Sequence, residues 1–503
     1  MLARLSRRAF LAGAAALPMV RLGVQPSALP ADADVVVIGG VPDGPGFEPA
    51  ALSAVYRLAQ SPGLRVVLLE DQPRWMPEPP PPPPSPASAT VAIGAQPPFV
   101  RGHELCFDKW RDAGNPGWGY ADVLPSFKRL EHYEAGASAS RGGDGPIPVA
   151  HCWDPHPAHR AFLMACSAGG FAQDSRHDFN GPRSQSVGGY FQKVHADDQP
   201  VSFTAALLDP LRANSGVTVS RGLMVTRLIF DGRRAVGVEV ERGGERQTIR
   251  ARRGVIMAAS PIRAAQLLML SGVGPAASLR EVGVTIVADR PGVGANLHDQ
   301  MMVPLRWKPL PAAGALPEST VTAGFFTVSL VASPPDLQMD FVVGASAVGL
   351  DITAVQPTSR DTMRLTSADP AKVPTVALNL LTTDADITAL VQGVRLARLV
   401  GASSPLERYR GDESPDSAAA RSTPELQAYV RSVAGRRRHL AGTCAMGPAS
   451  DQTAVVDATL AVHGVTGLWA AGTSVMPTIV NAPPDAAALM IGERCAGFVL
   501  AAP

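Results

Sequence analysis

The sequence predicts an α/β protein in which a Rossmann-like domain, built from discontinuous segments, is joined to an α+β domain with an antiparallel sheet. Three observations carry that expectation. Asp34-Val35-Val36-Val37-Ile38-Gly39-Gly40 is a short apolar run ending in glycines, the pattern of a strand buried on both faces. Pro49 to Gln60 sets Leu52, Val55, Tyr56 and Ala59 on one helical face, and Arg65 to Glu70 is a second apolar strand ending in an acid, which completes a β-α-β unit. Buried-strand patterns recur far along the chain, at Val255–Ala259 and Gly467–Gly472, so intervening segments must build the second domain.

In chain order, the first element is an export signal. Ser6-Arg7-Arg8-Ala9-Phe10-Leu11 matches the twin-arginine consensus, and an apolar stretch from Ala9 to Val20 follows it. That stretch is too short to span a bilayer, which takes about 20 residues. The expectation is a periplasmic or secreted protein with no transmembrane segment once residues 1–33 are removed. Trp75 to Pro86 is a proline tract that cannot join a sheet, and Asn115 to Glu131 reads as a turn and then a helix. From Val217 to Ala251 the pattern becomes an antiparallel meander with turns at Asp231-Gly232 and Gly243-Gly244. A helix through Leu267-Leu268-Met269-Leu270 stops at Gly272. Residues 300–435 are mixed and proline-punctuated, and Asp485–Ala501 is an apolar helix that closes the first domain.

Composition excludes several classes. The 503 residues carry 45 Lys+Arg against 44 Asp+Glu, so the chain lacks the basic footprint of a nucleic-acid or anionic-membrane binder. Five widely spaced cysteines with no C-x-x-C signal neither a zinc site nor a disulfide framework, and are expected to be mostly buried thiols. His151, His156 and His159 have no acidic or Cys partner at ligand spacing and read as surface residues, so no metal is expected.

The first glycine loop has the turn for a dinucleotide phosphate at Gly39, but Val41 stands at the second glycine position, Pro42 to Glu48 lengthen the loop, and Ala51 takes the third position. A stronger signal lies further on. Pro291-Gly292-Val293-Gly294-Ala295-Asn296-Leu297-His298-Asp299 resembles the P-G-V-G-x-N-L-x-D segment of the glucose-methanol-choline (GMC) family of FAD-dependent oxidoreductases. Gln266 to Gly274, Trp110 to Trp118, His439-Leu440-Ala441-Gly442-Thr443-Cys444-Ala445-Met446-Gly447, and Val455-Val456-Asp457 through Ser474-Val475-Met476-Pro477-Thr478 resemble further blocks of that family, in order and spacing. The resemblance covers roughly residues 34–500.

It implies an FAD-binding domain in segments 34–150, 215–300 and 435–503, and a substrate-binding domain in 151–214 and 301–434. Gly39, Gly40, Glu70, Val225, Gly472 and Thr473 would line the FAD, with Glu70 on the adenosine ribose. His439 would be the base that takes the hydroxyl proton of a small-molecule alcohol while hydride leaves for the flavin. A neutral imidazole suits that task. The run Arg436-Arg437-Arg438 reads as a solvated face, or alternatively as a field that favours an anionic substrate and depresses the pKa of His439. The electron acceptor is left open among oxygen, a quinone and a periplasmic cytochrome.

Departures from the family gather around the site. Ala89 to Phe99 has lost most of the glycines and hydroxyls of the family's flavin loop, Ala95 stands where Asn is usual, and no His is present for covalent flavin attachment. Pro483 falls where the family places a His or Asn partner, and proline has no donor. Either Asn481 or Asp485 substitutes, with Asn481 taken as the second catalytic residue, or alcohol oxidation is impaired. The competing expectation is a GMC-fold pseudoenzyme kept as a binding or accessory protein.

Overall fold

The computed structural model describes residues 29–502, apart from 41–46, 74–96, 153–155, 182–185, 198, 312–313, 315, 317–319, 331–333 and 378. The twin-arginine segment, Val41 and most of the lengthened first loop, the proline tract and the altered loop as far as Gln96 therefore lie outside the described residues.

The β-α-β unit consists of β1 (Asp32–Gly39), α1 (Pro49–Leu58) and β2 (Val66–Asp71). Val35, Val36, Val37 and Ile38 are fully buried, each contributing on the order of 2 kcal/mol of transfer free energy. β1 lies parallel between β2 and the strand Glu245–Met257, with Val36 beside Val67 on one side and Val255 on the other. Leu468–Ala470 extends the sheet beyond Glu245–Met257, again in parallel.

The meander is continuous with this parallel sheet. Val217–Asp231 pairs in parallel with β2 through its first half and antiparallel with Arg234–Arg242 through its second, and Arg234–Arg242 pairs with the start of Glu245–Met257. The sequence reading divided 245–257 into a meander strand and a separate buried strand. It is one strand of 13 residues. Exposure is mixed along its first nine positions and gives way to unbroken burial at Gly254–Met257, where the strand leaves the exposed ribbon and enters between two parallel neighbours. Gly254, at φ +149°, permits that entry, since a Cβ there would lie 2.3 Å from the Gly467 carbonyl oxygen.

α1 packs on the C-terminal helix Asp485–Ala501 at backbone contact, a Cβ on Gly492 falling 2.1 Å from the Ala50 oxygen. Together with the six-stranded sheet they enclose the larger hydrophobic core. Ala206, Leu207 and Leu208, expected in the second domain, also pack on this core.

Residues 300–435, mixed and proline-punctuated in sequence and expected in the α+β domain with an antiparallel sheet, hold most of an eight-stranded sheet whose antiparallel centre is Met301–Pro309, Ala347–Ala354, Leu337–Gly344 and Thr320–Thr327, in that order. The helices Pro157–Ala168 and Asp384–Gly401 contribute to its core. Every position of Leu337–Gly344 and Ala347–Ala354 is buried, including Gln338, Asp340, Asp351 and Thr353, which alternate with apolar residues as they would in a half-exposed sheet. A third small cluster, including Val100, Phe179, Phe191, Phe326 and Ala482, joins residues from both parts of the chain.

Candidate active site

Three motif segments distant in sequence are knitted into one layer. His298 and Ala441 exchange backbone hydrogen bonds of 3.1 and 3.0 Å, and the Gly294 N–H donates to the Thr443 oxygen. On its other side the 442–446 stretch pairs with 473–475: Gly442 donates to Thr473, Cys444 to Ser474 and Met446 to Val475. The layers can approach because Gly442 has no side chain. At φ +90° its Cβ would sit 2.3 Å from the Asn296 oxygen. The imidazole of His298 locks the third segment, with Nδ1 2.7 Å from the Asn296 carbonyl and Nε2 accepting the Ile479 N–H at 3.0 Å.

His439 emerges at the edge of this layer. The two-residue strand Gly435–Arg436 pairs with Met301–Met302 of the larger sheet, Arg437 donates its N–H to the Gln300 oxygen, and Arg438 adopts a left-handed φ of 62°. The His439 N–H then donates to Asp299 Oδ1 at 2.8 Å, and its Nδ1 lies 2.7 Å from Gln300 Oε1. The residue keeps some exposure, yet its ring is enclosed. That desolvation, followed by the Arg437 charge, pushes its pKa down to about 3. A neutral imidazole at working pH follows.

Of the arginine run, Arg438 is exposed but Arg436 and Arg437 are not a solvated face. Arg436 ion-pairs with Asp299 at 2.8 Å, and Arg437 pairs with Asp340. Both aspartates are buried, and burial raises their pKa values against the pull of these arginines.

Asn481 is buried with both ends of its amide engaged. Its oxygen accepts from the His103 N–H at 2.7 Å and faces Cys106 Sγ at 3.3 Å, while its nitrogen donates to the Pro335 oxygen at 3.0 Å. The expected second catalytic residue therefore holds the Gly102–Cys106 segment in place, with Gly102 at φ +97° pressed on Val480. Pro483 is buried. Asp485, the first residue of the C-terminal helix, lines a cavity of about 220 Å³ with Pro97, Phe99, Val194 and Phe203. Burial raises its carboxyl pKa to about 6.

The residues expected to hold the cofactor fall largely along one edge. Gly39, Gly40 and Glu70 end β1 and β2, and Gly472 and Thr473 follow Leu468–Ala470, so all five lie at the carboxyl ends of parallel strands, where such sheets bind dinucleotides. Gly39 lets α1 approach, its Cβ position being 2.6 Å from that of Ala51. Glu70 is a buried carboxylate 3.4 Å from the half-exposed Arg221, whose guanidinium lies 5.1 Å from the centre of the Phe47 ring. A buried acid, two close-packed glycines and the turn at Gly472 on one edge fit a dinucleotide. Val225 lies on the strand Val217–Asp231, which neighbours β2. Its N–H donates to Asp71 Oδ1 at 2.8 Å and its oxygen accepts from Arg263, which also pairs with Asp71 at 2.6 Å. The backbone groups of Val225 are thus satisfied within the chain.

Other sequence candidates resolve as structure. His159, read as a surface residue, is fully buried on the helix Pro157–Ala168, edge-on to Phe341 at 5.6 Å. His156 caps that helix by accepting the Ala158 N–H, and His151 contacts Glu134 at 2.7 Å. Among the described residues no group of three His, Cys, Asp or Glu could hold a metal, and four of the five free cysteines are buried. The sequence reading missed Gln300 and the Asp71–Arg263 pair. Gln300 directly follows a motif, which was the available signal.

A parallel sheet assembled from distant segments, with two glycines and a buried acid at its carboxyl edge, is the class of fold that binds dinucleotides. Two family models described as GMC oxidoreductase match residues 97–302 and 357–492. The oxygen-dependent choline dehydrogenase of Brucella melitensis is 33% identical over 437 residues, covering 80% of this chain and 79% of that protein. The mitochondrial choline dehydrogenase of Mus musculus is 33% identical over 436 residues, covering 80% and 73%. In fold, the chain is similar to pyridoxine 4-oxidase from Mesorbium loti, with TM-score 0.81, 23% identity and coverage of 92% and 98%. It is similar also to formate oxidase of Aspergillus oryzae RIB40, with TM-score 0.80, 21% identity and coverage of 94% and 98%. The chain belongs to the GMC family of FAD-dependent oxidoreductases that act on CH–OH donors.

Proposed function

We propose that this chain is an exported alcohol oxidoreductase in which His439 takes the hydroxyl proton of the substrate. The observation that carries this reading is the hydrogen bond between His439 Nδ1 and Gln300 in an enclosed, cationic setting, which favours a neutral ring able to accept a proton. Gly39, Gly40, Glu70, Gly472 and Thr473 would hold FAD along the sheet edge. When bound, FAD supplies the oxidant for the hydride lost from the carbinol carbon. As the O–H proton passes to the imidazole, Asp299 holds the His439 backbone, and burial together with the Arg437 charge discourages a permanently protonated ring.

Relatives named oxygen-dependent choline dehydrogenases support a small-molecule alcohol as substrate and oxygen as one acceptor. For an exported enzyme a quinone or a periplasmic cytochrome would serve instead. No helix among the described residues is long and apolar enough to cross a membrane.

A second reading, a GMC fold kept for binding after its chemistry was lost, is favoured by the engagement of Asn481 and the presence of Pro483, which leave His439 without an evident polar partner for the alcohol. The visible flavin spectrum of purified protein, before and after incubation with FAD, separates the two. Flavin absorbance bleached by alcohols in the wild type, with loss of bleaching on the order of 100-fold or more in His439→Ala, is expected from the first reading. A protein that never takes up flavin would establish the second.

A further inference from the structure

We propose that Gln300 is a positioning residue that fixes His439 as its Nδ1–H tautomer and so keeps the proton-accepting lone pair on Nε2. The inference rests on the reading of His439 as the base.

Its ground is the orientation of one buried amide. Gln300 is fully buried, and its Nε2 lies 3.1 Å from the Val355 oxygen, 3.0 Å from the Val480 oxygen and 3.3 Å from the Ala482 oxygen. Carbonyl oxygens only accept, so this end of the side chain must be the NH₂; the flipped amide would set an oxygen against three others. The end that meets His439 Nδ1 at 2.7 Å is therefore Oε1, which has no proton to give. Nδ1 must supply it. In a ring carrying a single proton, Nε2 is then bare.

The charged groups around the ring agree with a single proton. Arg436, which ends the strand Gly435–Arg436 and pairs with Asp299, and Arg437, paired with Asp340, precede it, and Asp299 faces the His439 backbone N–H. Asp299 meets the backbone of His439 and Asp340 meets Arg437, and among the described residues the ring's hydrogen-bond partner is Gln300. The three carbonyls that clamp Gln300 come from two places, the end of Ala347–Ala354 and the residues on either side of Asn481. Gln300 thus ties the base to the segment that carries Asn481 and Pro483.

Nitrogen-15 NMR of the histidine-labelled protein, with His439 assigned by its disappearance in His439→Ala, tests the tautomer on the wild-type chain. The expected result is a protonated Nδ1 and an unprotonated Nε2 at neutral pH. The opposite tautomer, or an even mixture, overturns the proposal. In the FAD-loaded enzyme, Gln300→Glu meets the same three carbonyl oxygens and is held as the neutral acid, its O–H toward them and its C=O toward Nδ1–H, so this conservative variant should keep the tautomer and a kcat within a few-fold of the wild type. Gln300→Leu should mix the tautomers in the spectrum and lower kcat on the order of 100-fold, with a smaller effect on KM. If His439→Ala abolishes turnover while Gln300→Leu keeps the wild-type kcat, the positioning role fails and the base stands. If His439→Ala retains turnover, the base reading fails, and the wild-type spectrum still decides the tautomer. Should Gln300→Leu not fold, that spectrum and Gln300→Glu decide the outcome.

Discussion

Both ring nitrogens of His298 are in use, one donating to the Asn296 carbonyl and the other accepting the Ile479 N–H. A second proton on the ring would evict the Ile479 N–H from its acceptor. Burial, and then the Arg360 charge, accordingly push the pKa of His298 down to about 3. The unfolded chain takes that proton near pH 6.5 and the folded chain does not, so stability falls as pH drops from about 6.5 toward 3. The slope is roughly 1.4 kcal/mol per pH unit for this group. Denaturant unfolding at pH 6 and pH 4 should show a pH slope shallower by about one proton in His298→Gln than in the wild type. Equal slopes would show that the ring is charged in the fold. His439 was singled out through the resemblance of the segment it heads, His439 to Gly447, to a block of the GMC family. Gln300 was not, because a polar residue after a motif has no pattern of its own until its partners, 55 to 182 residues away, are in place.

Elements were legible where their burial changes along their length in a regular way. The alternation of Arg234–Arg242 and the helical spacing of α1 are visible in the sequence, whereas Leu337–Gly344 alternates apolar residues with Gln338 and Asp340 and reads as half exposed although every position is buried. The helix Asp485–Ala501 was read to the residue, but nothing in its sequence distinguishes its two glycines. Gly492 presses on the backbone of α1, while a Cβ on Gly497 would meet nothing within 4 Å. Gly492→Ala must push two helices apart and should cost about 1–3 kcal/mol. Gly497→Ala should stabilise by about 0.5–1 kcal/mol, since alanine loses less backbone freedom in a helix. Opposite shifts in the thermal midpoint are the expected outcome; a shared sign would show that the contact at Gly492 is not as close as described.

Across the whole molecule, the segments that form the site are those that cross between the two hydrophobic cores. Met301 begins a strand of the larger sheet directly after Gln300, and the strand Gly435–Arg436 leads into His439. The sequence made the alternation of segments legible through motif order, but not that 201–211 pack on the first core, since that depends on which apolar surface is nearest in space. Export belongs to this scale too. If the twin-arginine reading holds, replacing Arg7 and Arg8 together by lysine should retain the precursor in the cytoplasm, measured by fractionation against a wild-type control. Equal distribution of the two proteins would exclude that route.

The turn at Gly243-Gly244 joins two strands of the ribbon that runs on into the parallel sheet. Both glycines are left-handed, at φ 61° and 89°, and a Cβ on either would meet nothing within 4 Å. It is therefore a natural port for engineering. A fluorescent reporter or an affinity loop inserted there would hang from a tip that neither core depends on, and the sheet beneath would carry it without being cut.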